Sequence, residues 1–350
     1  MRITHIMLAK GFGGAERSFI DLARALSDGG HSIQTICHRD FSHRQLLVAH
    51  PDIEAVSIPV IANWDPFAAR RILRLLRSFK PQVVHAHLAR AAHLGGQAAR
   101  RYGVPTITKT HAFVSLKYYR TIDHFVTTTD AQQRYLLDEG IPDHRISIIP
   151  NCSAFAVAKG RAPGRAPAKL LSYGRMVEKK GFDVLLRAMA VLINQGADLQ
   201  LELGGDGPER SRLEKLAVRL GIGERVAFIG WMDDVRAHLL TADVFILPSR
   251  EEPFGIAVLE AMACRTPIVA TRCDGPMEIL DEETAVFSEP GNVESLSRAL
   301  GDIVSAPDQS RRRADAAADR FMCRYTPDTV AAQYLKSYKA LGVGDGRNDA

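Results

Sequence analysis

Glu252 and Glu260 stand either side of seven residues in P-S-R-E-E-P-F-G-I-A-V-L-E-A-M-A, residues 248–263. In one continuous helix that offset turns the two side chains apart, because neighbours on a helix face recur at three and four. Pro253 resolves the difficulty. The residue before a proline is pushed toward extended conformation, so the sequence predicts Glu252 in a loop. Ile256–Ala263 is compatible with a short buried helix carrying Glu260 on about its second turn. The N–H groups near Phe254, Gly255 and Ile256 then form an anion-seeking end between the acids. Together these groups suit a phosphorylated sugar with several hydroxyls. The plainer alternative is a surface acid and one acid on an ordinary helix.

Cations and glycine turns recur at the ends of other apolar runs. S-Y-G-R-M-V-E-K-K-G-F-D places Arg175 at a strand end and Lys180 five residues on. A planar fork and a mobile ammonium fit a diphosphate better than a protein carboxylate; the alternative is a solvated charge cluster, which is the reading for Lys179. K-G-F-G-G-A-E-R resembles a dinucleotide fingerprint, but Glu16 holds the third glycine position. Gly13 and Gly14 still permit a tight turn and close approach to a phosphate. L-E-L-G-G-D-G-P reads as a tight turn at Gly205 under a nucleotide, with a bare loop as the alternative, and F-I-G-W-M-D-D offers the backbone near Gly230 and Trp231 to a base. Asp233 and Asp234 lack a third ligand at suitable spacing and read as solvated loop acids. V-V-H-A-H puts His85 and His87 on one strand face, and T-K-T-H-A-F puts His111 at another strand end. With no nearby Cys or acid they read as hydrogen bonders facing a cleft, and no protein metal site is expected.

The elements that must position these groups form two series. Strands are predicted near 3–8, 32–37, 82–87, 106–110, 125–128 and 146–150, with helices between most of them. Alternation of this kind means a parallel sheet with right-handed crossovers. A-K-G-R-A-P-G-R-A-P, rich in Gly, Pro and Arg, cannot build a core and reads as a linker over 158–168. The pattern restarts with strands near 170–173, 199–204, 226–229, 244–247, 268–270 and 285–287. The expected division is 1–157, 158–168, 169–325 and a C-terminal helix and tail over 326–350. Two such α/β domains leave a ligand-binding cleft between their carboxyl strand ends.

The chain has 350 residues, 46% hydrophobic and 24% charged, which suits two sizeable cores and excludes wholesale disorder. No apolar run approaches the roughly 18 residues that span a bilayer, and the N-terminus is too short and weakly flanked for a signal peptide. Five scattered cysteines without a C-x-x-C favour reduced thiols in a cytoplasm. Residues 1–150 carry 19 Lys and Arg against 12 Asp and Glu, so the basic excess lies wholly in the first half. Such a half suits an anionic surface. Without interleaved stacking aromatics or zinc-finger spacing, nucleic acid is not the expected partner. F-A-A-R-R-I-L-R-L-L-R-S-F-K, residues 67–80, is an amphipathic helix whose cations either touch anionic lipid or are simply solvated.

Taken together, G-G-A-E-R, G-R-M-V-E-K-K-G, G-G-D-G-P, A-D-V-F-I-L-P-S and E-E-P-F-G-I-A-V-L-E-A-M-A resemble the retaining GT-B glycosyltransferases of family 4, in the family's order and over nearly the whole chain. The resemblance implies two Rossmann-like doubly wound domains, with room for the C-terminal helix to cross back to the first. It implies that Glu252 faces donor sugar hydroxyls, with the Phe254, Gly255 and Ile256 N–H groups nearby, and that Glu260 binds ribose hydroxyls. Arg175 and Lys180 match the pair that neutralises the departing diphosphate. Gly13 and Gly14 match the loop over the donor, and His111 the T-x-H position near the reacting centre. Two motifs depart: P-N-G reads P-N-C at Cys152, and G-x-P reads R-T-P at Arg265.

The expectation is therefore transfer of a sugar from a UDP- or GDP-sugar, without metal or other cofactor, to a glycan or lipid-linked acceptor of lipopolysaccharide or a related envelope glycan. The work would be done in the cytoplasm with peripheral contact at an anionic membrane. A nucleotide-sugar 2-epimerase would instead give epimerised product without an acceptor. A non-catalytic sugar binder would show no turnover. Glu16 and His38-Arg39 disfavour an NAD-dependent dehydrogenase.

Overall fold

The computed structural model describes residues 1–11, 13–110, 113–160 and 168–343. The chain divides into two compact units, one of residues 1–154 with the segment from Tyr325 onward, the other of residues 155–324. The first unit holds β1 (Arg2–Met7), α1 (Gly14–Asp28), β2 (Ser32–His38), α2 (Gln45–Val48), β3 (Ile53–Ile58), α3 (Pro66–Phe79), β4 (Val83–His87) and α4 (Leu88–Tyr102). It continues through β5 (Thr106–Lys109), β6 (His124–Thr127), α5 (Asp130–Asp138) and β7 (Ile146–Ile148). All seven strands are parallel, in the order β3-β2-β1-β4-β5-β6-β7.

Strand alternation sorts the core of this unit. Ile3 and Met7 face one layer with Phe19 and Leu22 of α1, while Ile6 faces the other with Ile72 and Leu76 of α3. Helix α3 starts cleanly because Asp65 accepts from the Phe67 and Ala68 N–H groups and Pro66 follows it. Burial works to raise the Asp65 carboxyl, and backbone donors from Ile61, Ala68 and Phe67 outweigh it and hold the group low.

The second unit repeats the plan with β8 (Ala168–Tyr173), α6 (Phe182–Asn194), β9 (Leu199–Gly204), α7 (Arg210–Arg219), β10 (Val226–Gly230), α8 (Val235–Thr241) and β11 (Val244–Leu247). It ends with α9 (Ile256–Ala263), β12 (Ile268–Thr271), α10 (Asp274–Ile279), β13 (Val286–Ser288), α11 (Val293–Ser305) and α12 (Pro307–Arg324). The strand order β10-β9-β8-β11-β12-β13 reverses direction between β8 and β11, the point at which open α/β sheets receive ligands. The architecture is thus two Rossmann-like parallel-sheet units, as the sequence predicts.

The last helix, α13 (Pro327–Ala340), belongs to the first unit, where Val330, Tyr334 and Tyr338 complete the layer under α1. Thr326 caps it by accepting from the Thr329 N–H. The linker expected over 158–168 falls largely on residues 161–167, which lie outside the described residues. Residues 155–160 belong to the second unit, where the Ala158 N–H donates to the Ala263 carbonyl at 2.8 Å. Among the described residues no helix is long and apolar enough to cross a membrane.

Candidate functional site

At the reversal point of the second sheet, the loop after β8 carries Arg175 and Lys180 and the loop after β11 carries Glu252. Gly181 sets how close the two loops come. It sits at φ +65, and a Cβ there would fall 2.0 Å from the Pro248 carbonyl oxygen. Only glycine fits that position without moving backbone. The Arg250 N–H donates to the Lys179 carbonyl at 2.7 Å, and the Arg250 guanidinium grips both Asp183 carboxylate oxygens at 2.7 and 2.8 Å. Burial opposes the Asp183 charge, but the paired guanidinium outweighs it and keeps the carboxyl below the usual carboxylate range.

So braced, Lys180 Nζ donates to Glu252 Oε2 at 2.5 Å. Arg175 is exposed beside them, and a cavity of about 590 Å³ opens between Arg175, Lys179, Lys180 and Arg250. Four cations and the acids Glu178 and Glu251 line it, with Lys180 already held by Glu252 and Arg250 by Asp183.

Glu260 projects from α9 and is 4% exposed. The Tyr173 hydroxyl, at the end of β8, donates to Glu260 Oε2 at 2.6 Å. Helix α9 opens at Gly255, which takes φ +100 as its N-cap, directly after the buried Phe254. Gly275 at the start of α10 backs this turn. Its N–H donates to the Glu252 carbonyl at 3.0 Å, and a Cβ there would meet Phe254 backbone at 2.4 Å.

Below the Arg175 loop, Gly205 takes φ +107 and donates to the Gly230 carbonyl at 2.6 Å; its Cβ would lie 2.0 Å from the Gly174 oxygen. The glycine turn after β9 is thus a close backbone contact between loops, and Trp231 beyond it is 60% exposed. Asp234 caps α8 through the Ala237 N–H. On the first unit, exposed Gly13 is the N-cap of α1, and a Cβ there would meet only Glu16 Oε2, at 3.4 Å. His111 lies outside the described residues.

Residues 12–152 match the family model described as Glycosyltransferase Family 4, and residues 159–320 match Glycosyl transferases group 1. The lipopolysaccharide core biosynthesis glycosyltransferase LpsE of Rhizobium meliloti is 32% identical over 350 residues, covering 96% of this chain and 98% of LpsE. The chain belongs to the family 4 glycosyltransferases. LpsD of the same organism, also a lipopolysaccharide core biosynthesis glycosyltransferase, is 28% identical over 96% of this chain and 97% of its own length. The crystal structure of Anabaena HepE in complex with UDP shares the fold, with a TM-score of 0.83 at 20% identity, over 97% of this chain and all of that one.

In this glycosyltransferase the site of the second unit rests on residues to which the sequence reading gave no role: Tyr173, Asp183, Arg250, Gly181 and Gly275. Gly181 and Gly275 sit in visible turn signals, K-K-G-F and D-G-P. The side chains pair only in space. At the departed R-T-P motif, Arg265 adopts φ +53, a left-handed conformation easier for glycine. Its side chain compensates by donating to the Ala158 carbonyl at 2.9 Å and to Asp315 at 2.5 Å.

His85 and His87 do not face a cleft, and that expectation is corrected. Both are fully buried with His5 in the first unit, on the sheet face covered by α1 and α13. His85 Nδ1 meets the Tyr338 hydroxyl at 2.9 Å and His5 Nδ1 meets His87 Nε2 at 3.3 Å. The three rings bring ligand atoms within 4.8 Å of one another. The His85 and His87 rings, however, stack at 4.2 Å and 19°, which sets their in-plane lone pairs side by side instead of aiming them at one centre. Burial pushes the His5 imidazole down to about 3, so it packs as a neutral ring.

Proposed function

We propose that this glycosyltransferase moves a sugar from a UDP- or GDP-sugar to a hydroxyl of a glycan or lipid-linked acceptor in lipopolysaccharide or related envelope glycan synthesis, with retention of anomeric configuration. The observation that carries the reading is the braced Lys180–Glu252 pair beside Arg175 at the reversal point of the second sheet. Lys180 and Arg175 balance the diphosphate as the anomeric C–O bond breaks, supplying the positive charge that a metal supplies elsewhere. Glu252 accepts hydrogen bonds from donor sugar hydroxyls, and Glu260, oriented by Tyr173, from those of the ribose. The Phe254, Gly255 and Ile256 N–H groups meet the donor, and Gly205, Gly230 and Trp231 adjoin the base. Gly13, Gly14 and His111 keep the roles that the resemblance gives them. The acceptor oxygen attacks the face from which the diphosphate leaves, and a leaving phosphate oxygen takes its proton. The names of LpsE and LpsD and the UDP bound to HepE support the substrate class.

A thermal-shift screen of UDP-, GDP- and ADP-sugars identifies the donor, since ligand that binds the native state raises Tm. Nucleotide release with a lipopolysaccharide core acceptor, and NMR of the product's anomeric proton, then test transfer and retention. Activity is expected to survive EDTA; loss restored by Mn²⁺ or Mg²⁺ would refute the metal-free site. Epimerised donor formed without acceptor would replace the transfer reading.

A further inference from the structure

The loop between β3 and α3 and the first turn of α3 present three large apolar side chains to solvent within seven residues: Ile61 is 91% exposed, Trp64 76% and Phe67 63%. Apolar side chains so fully displayed on a braced backbone are out of place on a surface that meets only water. The brace is Asp65, which is buried and accepts from the N–H groups of Ile61, Phe67 and Ala68. Arg90 adds a second tie, donating to Asn63 Oδ1 at 2.9 Å and to the Leu8 carbonyl at 3.2 Å. The tips are therefore held outward.

Helix α3 continues from this loop with Arg70, Arg71, Arg74, Arg77 and Lys80 all exposed, and no acid lies between Pro66 and Lys80. We infer that Ile61, Trp64 and Phe67 form an anchor that enters the interface of an anionic bilayer, with the α3 cations on its headgroups. Single-sign charge beside an aromatic and aliphatic tip matches a headgroup layer over acyl chains, where Trp is favoured. The placement also serves the proposed chemistry. The sheet is parallel, so the loop after β3 and the Gly13 turn after β1 leave the same edge, two strand spacings or about 10 Å apart. A lipid-linked acceptor held at the anchor would have its head group near that edge. This last point rests on the proposed acceptor; the anchor does not.

The test uses full-length protein carrying Trp231→Phe, which leaves Trp64 as the one tryptophan of the two. With phosphatidylglycerol/phosphatidylcholine vesicles, Trp64 emission shifts to the blue and is quenched by acyl chains brominated near the headgroup. In protein that keeps Trp231, Ile61→Ser with Phe67→Ser lowers partition at least tenfold in 0.5 M salt, where the arginine attraction is screened, with unchanged circular dichroism and unchanged donor turnover. Unmoved Trp64 emission at saturating lipid, or equal partition of the double variant, overturns the anchor. So does concentration-dependent dimerisation that the double variant abolishes, because a second copy would then cover the patch. Transfer activity measured in detergent with a soluble acceptor is independent of all three readouts, so failure of the anchor and failure of the transfer reading are separable.

Discussion

Lys180 and Glu252 neutralise each other across 2.5 Å in the free protein. Their side chains are only 21% and 10% exposed, so neither charge is fully hydrated. On the proposed roles, donor binding would separate them, drawing the ammonium to the diphosphate and the carboxylate to the sugar. The ligand then supplies to each what the other supplied before, so the free pair holds both groups in place until the donor arrives.

Lys180→Ala should lower kcat by about 10²- to 10³-fold, the range for removing one group that stabilises developing charge. Circular dichroism should be unchanged. A folded variant with full turnover would refute the assignment.

Tyr173→Phe should act only through Glu260. We expect KM for the donor to rise with kcat little changed, because ribose contacts are alike in ground and transition states. Glu260→Ala should do the same more strongly. With a 2′,3′-dideoxy donor both penalties should shrink together, and steady-state kinetics on the two donors decides it. A penalty of the same size on the dideoxy donor would mean that Tyr173 serves packing alone.

Gly181→Ala tests the loop contact. A left-handed non-glycine residue costs roughly 1–2 kcal/mol, and the clash with the Pro248 carbonyl adds to it. Urea unfolding should show the second unit destabilised by at least that amount, with turnover reduced as Lys180 and Glu252 move apart. Gly140, also at positive φ but with open space around it, should lose only the conformational part on the same change.

The Asp183–Arg250 clamp predicts a pH dependence. The Asp183 carboxyl is held below its unfolded value, so its stabilising contribution is complete above that value, about 3.9, and fades as pH falls through the lower folded value. The Tm difference between the native protein and Asp183→Asn should be constant near neutrality and narrow below about pH 4. A gap that widens on acidification would contradict the clamp.

The motif residues were legible because their chemistry is local: Pro253 places Glu252 in a loop, and α9 spans the predicted Ile256–Ala263. The strand series was legible where runs were apolar, at sheet edges such as β7 and β10 as well as at the centre. β3 was missed because I-E-A-V-S-I is an edge strand with a half-exposed middle, recognisable only by its ladder to β2. The Tyr173–Glu260 and Asp183–Arg250 pairs join residues 87 and 67 apart, and no local pattern links them. His85 misled for the same reason. A histidine on a strand face reads as a hydrogen bonder open to a cleft, yet its cover is Tyr338, 253 residues away.

That cover bears on the order in which the molecule can be built. The first unit needs α13 to finish its core, and α13 is made after the whole second unit. At 5–20 residues per second, the roughly 185 residues from Phe155 to Ala340 take about 10 to 40 s to synthesise. Through that interval the sheet face beside α1 lacks Tyr334 and Tyr338, the side chains of α13 that pack on His85. The second unit, contiguous in sequence, can fold first on the ribosome. The half of the protein translated first is therefore the half that closes last, and until Tyr334 and Tyr338 emerge its half-finished core is a target for chaperones and proteases.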